Sequence, residues 1–155
     1  MWWRRAVANL APLMTSSKQD WGTPQAFFDA LHAQYQFTID AAANALNHKL
    51  PRWYGPGGER EDATAAPWDR NEVYWCNPPY DNQRAFVQRG YDVMTRGGIA
   101  VFLLPARTDT KLFHDCIWDR ELQRPQEGVT VDFLKGRLTF EGAPASAPFP
   151  SMVVV

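Results

Sequence analysis

Apolar residues recur along this chain with two different spacings, and each spacing predicts a different element. After Thr23-Pro24, Phe27, Leu31 and Tyr35 fall every fourth residue and share one helical face. Thr23 can cap the free N–H groups and Pro24 suits the first helical position, so a helix is predicted to begin there. Gln36-Phe37-Thr38-Ile39-Asp40 reads as a strand ending in an acid, and Ala41-Ala42-Ala43-Asn44 as a turn or helix start. Residues 51–67, rich in Gly, Pro and charge, read as a loop. Val73-Tyr74-Trp75-Cys76 reads as a second strand. It must stop at Asn77-Pro78-Pro79-Tyr80, because proline has no N–H to give a ladder.

The second half repeats the alternation. Phe86, Val87, Gly90, Tyr91 and Met94 mark a helix closed by Gly97-Gly98. Ile99-Ala100-Val101-Phe102-Leu103-Leu104 is an unbroken apolar run between Gly and Pro, the pattern of a central strand buried on both faces. Leu112, Phe113, Cys116 and Ile117 suggest a further helix. Residues 129–140 read as two short strands and residues 151–155 as a last one; the chain stops there, so the natural end could run a few residues further. Strands alternating with helices predict a compact, trimmed α/β sheet with helices on both faces. Ligands of such sheets lie beyond the carboxyl ends of the strands. Asp40, Asn77 and Pro105 each follow a strand directly, so all three are expected at one edge.

Composition narrows the class. A length of 155 residues suits one domain. Residues 1–14 read as an N-terminal appendage, with Met14 a possible start of the folded unit, and residues 15–155 as the domain. The net charge of −1 argues against a tight, non-specific nucleic-acid binder. It leaves room for an enzyme that touches DNA through a local basic patch. Cys76 and Cys116 have neither disulfide-framework nor zinc spacing, and His32, His48 and His114 show no ligand spacing, so no metal is expected and a cytoplasmic setting fits. No apolar run reaches the roughly 18 residues of a membrane span. The apolar start is too short and interrupted for a signal peptide. Seven Trp and nine Phe supply a core and candidates for base stacking.

Asn77-Pro78-Pro79-Tyr80 carries the strongest chemistry, and it resembles the [DNS]-P-P-[YFW] tetrapeptide of the amino-methyltransferases. An adenine amino group is a poor nucleophile because its lone pair is delocalised into the ring. The Asn77 side-chain oxygen and the Pro78 carbonyl can both accept hydrogen bonds from that group, which localises the lone pair. Such a reaction needs alignment and preorganised dipoles more than a strong base. The prolines keep the carbonyl aimed, and Tyr80 offers a flat face for a base that has left the duplex stack. The bland alternative is a strand-ending turn, since Asn-Pro is common turn chemistry.

The resemblance extends beyond the tetrapeptide. Trp21-Gly22-Thr23-Pro24, residues 37–44, Trp75-Cys76-Asn77-Pro78-Pro79-Tyr80, Leu104-Pro105-Ala106-Arg107-Thr108-Asp109-Thr110, residues 133–140 and Ala147-Pro148-Phe149-Pro150-Ser151 together resemble the phage-type (Dam-like) DNA N6-adenine methyltransferases, in the family's order. The resemblance implies a Rossmann-like methyltransferase sheet, S-adenosylmethionine as methyl donor, double-stranded DNA as substrate and no obligate protein partner. It suggests protection of phage DNA from host restriction. It places Thr23, Pro24, Asp40 and Ala41 beside the cofactor. Asp40 could pair with the methionine ammonium or bond a ribose hydroxyl, or act as a cap. Asp62 could bond the cofactor's adenine, or be a solvated loop charge. Arg107 could hold a phosphate, with Asp109 capping the next helix. Lys135 and Arg137 could contact the DNA backbone, or sit at a solvated hairpin tip.

Two departures stand out. Ala41-Ala42-Ala43 replaces the Gly-rich turn many methyltransferases carry after the first strand, and Asp40 and Asn77 are too close in sequence for a full open sheet. Similar tetrapeptides also serve enzymes acting on RNA or on a protein glutamine. A degenerate relative that binds without turnover is a further alternative.

Overall fold

In chain order, the computed structural model forms α1 (Gln25–Tyr35), β1 (Ile39–Asp40), β2 (Val73–Cys76), α2 (Gln83–Thr95), β3 (Ile99–Pro105), a π-helical turn (Phe113–Ile117), β4 (Trp118–Asp119), β5 (Arg124–Pro125), β6 (Val131–Phe133) and β7 (Ser151–Val154). It describes residues 22–155; the expected appendage at residues 1–14, and Trp21, lie outside them. Five strands make one mixed sheet in the order β1-β2-β3-β7-β6, while β4 and β5 form a separate small hairpin. β1, β2 and β3 run parallel, and β7 lies antiparallel to both β3 and β6. Asp40, Cys76 and Pro105 therefore end strands that point the same way.

The alternation of side chains across this sheet builds two apolar layers. Tyr74, Cys76, Ala100, Phe102, Leu104, Met152 and Val154 face one layer, to which α2 contributes Phe86, Val87 and Val93. Trp75, Val101, Leu103 and Val153 face the other, to which α1 contributes Phe28. The two helices thus cover opposite faces, which is why β3 can be apolar at every position. Its first residue, Ile99, is the exposed one.

Local sequence explains the helix ends. At the end of α2, the Gly97 N–H donates to the Met94 carbonyl and the Gly98 N–H to the Val93 carbonyl, with Gly97 at φ +85°. This double bond pattern needs a left-handed residue, which glycine supplies without strain. Gly90 serves contact instead: a Cβ there would lie 2.3 Å from the Phe102 ring, so α2 can rest this closely on β3 because the side chain is missing.

Several expectations are corrected. Pro24 is the N-cap of α1 and Gln25 its first residue; among the described residues no side chain caps that end, the Thr23 hydroxyl being bonded to Asn77. Phe28 is the buried residue of α1, and Phe27, Leu31 and Tyr35 pack around it half-exposed. The predicted helix around Leu112 is a π-turn, capped by Thr110 Oγ1, which accepts from the Phe113 N–H at 3.3 Å, not by Asp109. Of the two strands predicted over residues 129–140, one forms. The rest of residues 134–150 runs irregularly across the α1 face, where Leu134, Leu138, Phe140, Ala147 and Phe149 seal the second layer. Apolar residues there serve burial without a ladder.

Candidate active site

The carboxyl edge of the sheet gathers most of the residues singled out from sequence. Ala106 continues from β3, its N–H donating to the Pro150 carbonyl at 2.8 Å. β6 runs in the direction of β3, and the Leu134 N–H donates to the Ser151 carbonyl at that edge. Lys135, Gly136 and Arg137 therefore leave the sheet beside Pro105 and Arg107. Lys135 and Arg137 are exposed, and the Arg137 guanidinium donates weakly, at 3.4 Å, to the Ala147 carbonyl.

Asn77 is half-buried just past the end of β2. Its amide Nδ2 donates to Thr23 Oγ1 at 3.2 Å. Among the described residues, neither Asn77 Oδ1 nor the Pro78 carbonyl has a hydrogen-bond partner. The Pro79 carbonyl is spoken for by the Asn82 N–H at 3.1 Å, which turns the chain into α2. Two adjacent acceptors are thus without a partner among the described residues, Asn77 lining a cavity and Pro78 buried beside it, while the Pro79 carbonyl is tied down.

Asp40 is almost fully buried, at 3% exposure. Its Oδ1 accepts from the Ala42 N–H at 3.3 Å and its Oδ2 from the Lys49 N–H at 2.9 Å. Burial raises its pKa to about 6, against the opposing pull of those two backbone bonds and of nearby His48 and Lys49. Ala41 is wholly buried in the first apolar layer, and Ala42 and the buried Ala43 are the residues that line the neighbouring cavity. Gly55, at φ +133°, lies so close to the Ala43 carbonyl that a Cβ would fall 1.8 Å from its oxygen.

Two cavities flank the tetrapeptide. One, of about 330 Å³, is lined by Ala42, Ala43, Tyr54, Asp62, Asn77 and Phe86. It adjoins a narrow polar cleft lined by Thr23, Asp40, Lys49 and Asn77. The other, of about 230 Å³, is lined by Tyr80, Arg84, Arg107, Thr110, Phe113 and Met152. Asn77 and Pro79 line the first and Tyr80 the second. Tyr80 stands edge-on to Phe149 with centroids 5.3 Å apart, and the Arg107 guanidinium lies 5.8 Å from the same Phe149 ring. Burial pushes the Tyr80 hydroxyl up to about 12, partly offset by Arg107.

Asp62 is an exposed loop carboxylate. Its Oδ1 accepts from both the N–H and the hydroxyl of Thr64 at 2.8 Å, which hold its pKa below the usual carboxylate value.

Residues 11–148 match the family described as DNA N-6-adenine-methyltransferase (Dam). The chain belongs to that family. No curated protein matches the sequence. Membership in the Dam family agrees with the resemblance carried by the motifs, and it makes the chain one of a family of DNA-acting methyl transferases.

Several supports of this Dam-family site escaped sequence reasoning. Lys49, its side chain 8% exposed, joins Gln25 Oε1 and Glu141 Oε2, each at 3.0 Å, and so ties α1 to the loop after β6. Gly22 and Glu141 pair as an isolated bridge beside it. The loop carrying Asp62 is pinned by Arg89, which donates to the Thr64 carbonyl at 2.7 and 2.9 Å, and by Trp68, whose Nε1 donates to the Ala63 carbonyl. No local pattern announces the long-range bonds of Lys49 and Arg89. His32, His48 and His114 bond backbone groups, and no His, Cys, Asp and Glu cluster suited to a metal occurs among the described residues. No helix of the described residues is long and apolar enough to cross a membrane.

Proposed function

We propose that this chain transfers a methyl group from S-adenosylmethionine to N6 of adenine in double-stranded DNA. The observation that carries the proposal is the pair of acceptors, Asn77 Oδ1 and the Pro78 carbonyl, unpartnered among the described residues, in a tetrapeptide whose other members line two cavities at the carboxyl edge. These oxygens accept the two N6 hydrogens of a base turned out of its stack. Both are fixed before the base arrives, so little reorganisation accompanies reaction. Tyr80 and the 230 Å³ cavity beside it receive the base, with Tyr80 giving a face for stacking.

The larger cavity fits the methyl donor. Its volume of about 330 Å³ falls within the usual range of small-molecule sites, from about 300 to 1,000 Å³. It opens onto a cleft holding a buried carboxylate, and carboxylates so buried gain from a cationic or hydroxylic partner. Asp40 would take the methionine ammonium or a ribose hydroxyl, with Thr23 at the cleft and Pro24 next to it in the chain, Ala42 and Ala43 along the wall, and Asp62 at the mouth near the adenine. When bound, the cofactor supplies an electrophilic methyl on a sulfonium. The sheet is read as a trimmed Rossmann-like methyltransferase sheet, in which a loop replaces the helix between β1 and β2.

Arg107, Lys135 and Arg137 rim the edge and would contact DNA phosphates. A local basic rim on a chain of net charge −1 suits brief contact better than tight binding. An enzyme with this substrate would act in the cytoplasm of a bacterial cell.

The test offers the full chain and S-adenosylmethionine to unmethylated DNA, RNA and a bacterial protein extract in parallel. Each product is digested and analysed by mass spectrometry. N6-methyladenine from DNA is expected. Methyl transfer only to RNA or to glutamine would overturn the DNA assignment, and cofactor binding without any turnover would make the chain a binding relative.

A further inference from the structure

The Thr23 hydroxyl makes no capping bond to α1; it accepts from the Asn77 side-chain amide. The two residues lie 54 positions apart and meet behind the tetrapeptide. Thr23 is 3% exposed.

Asn77 has a particular problem that such a contact solves. A carboxamide turned by half a rotation keeps almost the same shape but exchanges an acceptor for two donors. With Oδ1 toward the base, Asn77 accepts an N6 hydrogen. With Nδ2 toward the base, donor meets donor and the lone pair stays in the ring. The tetrapeptide itself does not choose between them, because Pro78 and Pro79 offer no N–H that could hold Oδ1.

We infer that Thr23 is a positioning residue for methyl transfer: by accepting from Asn77 Nδ2 it holds the carboxamide with Oδ1 facing the target amino group. The Asp40 carboxylate lines the same cleft as Thr23 and Asn77. A hydroxyl can donate as well as accept, so the contact with Thr23 fixes the carboxamide in place, and the negative charge of Asp40, which favours the amino end on that side, selects the orientation. Thr23 is itself set by its surroundings. Gly22 before it is bridged to Glu141, Pro24 after it opens α1, and Lys49 ties Gln25 and Glu141 together.

This inference rests on the proposed N6-adenine reaction, and the test separates the two. Thr23→Val, Thr23→Ala and Thr23→Ser are assayed as full-length proteins beside wild type. The readouts are kcat, KM for DNA, the cofactor Kd by calorimetry, and thermal melting. Thr23→Val keeps the shape and removes the acceptor; kcat is expected to fall roughly tenfold, the scale of one lost hydrogen bond to an otherwise unsatisfied amide. The cofactor Kd and KM are expected to stay within about twofold of wild type, and Thr23→Ser to restore kcat. Unchanged kcat in both Thr23→Val and Thr23→Ala would overturn the inference. A raised cofactor Kd with unchanged kcat would overturn it too, assigning the hydroxyl to the cofactor. Should both Val and Ala variants unfold, Thr23→Ser decides, since it keeps the acceptor and loses only a methyl: wild-type kcat supports the role and a tenfold loss refutes it. A wild-type protein without adenine methylation would instead sink the functional reading, and the positioning role with it.

Discussion

The Lys49 N–H donates to Asp40 Oδ2 at 2.9 Å, yet the Lys49 ammonium turns away to Glu141 Oε2 at 3.0 Å. Asp40 is therefore held by backbone dipoles and, among the described residues, by no direct ion pair. Burial without a neutralising partner is what lifts its pKa to about 6.

The sign of the resulting pH dependence follows. The folded-state value lies above the ordinary value of about 3.9, so protonated Asp40 favours the folded state, and that contribution is lost as pH rises from about 4 through 6. A bound cofactor that needs the ionised form shows the opposite slope. Its affinity is expected to rise up to about tenfold per pH unit below pH 6 and to level off above it. Asp40→Asn should flatten the curve at the weak level. Calorimetric titration between pH 5 and 7 checks this; an equal slope in the variant would show that another group titrates.

Gly90 tests how tightly α2 rests on the sheet. Its missing Cβ would fall 2.3 Å from the Phe102 ring. Gly90→Ala should destabilise the fold by about 1–3 kcal/mol through overpacking, although alanine is the better helix former by about 1 kcal/mol. Urea unfolding measures the balance. A stabilised variant would mean that α2 shifts freely away from β3.

Much of the fold was legible where one residue type decides a local outcome. The run from Ile99 to Leu104 could be apolar throughout only if both faces were covered, and it is the central strand. Pro78 and Pro79 end β2 because they lack N–H groups, and Gly97-Gly98 end α2 through a left-handed residue. Illegible were features made by partners distant in the chain. Lys49 and Glu141 lie 92 positions apart, and neither carries a local signature. Residues 134–140 read as the second strand of the predicted pair, but Leu138 and Phe140 are buried by packing on α1's layer, with no adjacent strand among the described residues to extend the sheet. The tetrapeptide was readable as chemistry; the bond that orients Asn77 was not.

Tyr80 is expected to act through its ring. Its hydroxyl has no hydrogen-bond partner among the described residues, while the ring packs edge-on against Phe149. Tyr80→Phe should stay within about threefold of wild-type kcat/KM. Tyr80→Ala should lose roughly tenfold or more, since one stacked base is worth about 1–3 kcal/mol. Steady-state kinetics on a short duplex distinguishes them; a Phe variant as damaged as Ala would assign a role to the hydroxyl.

Lys135 and Arg137 are exposed at the rim, where a phosphate contact adds affinity without reading sequence. Removing either should weaken DNA binding about equally for all sequences and lower the log–log salt slope by about 1. Fluorescence anisotropy across a salt series reads both quantities. An unchanged slope in both variants would move the DNA path off this side of the edge.

The central claim is that Asn77 presents an acceptor to an adenine amino group. The most direct measurement compares wild type and Asn77→Ala for methyl transfer to DNA, with the cofactor Kd measured on the same preparations. N6-methyladenine should form with wild type and disappear with Asn77→Ala, while the Kd changes by no more than a few-fold. Full transfer by Asn77→Ala, or its loss only together with cofactor binding, would contradict the account.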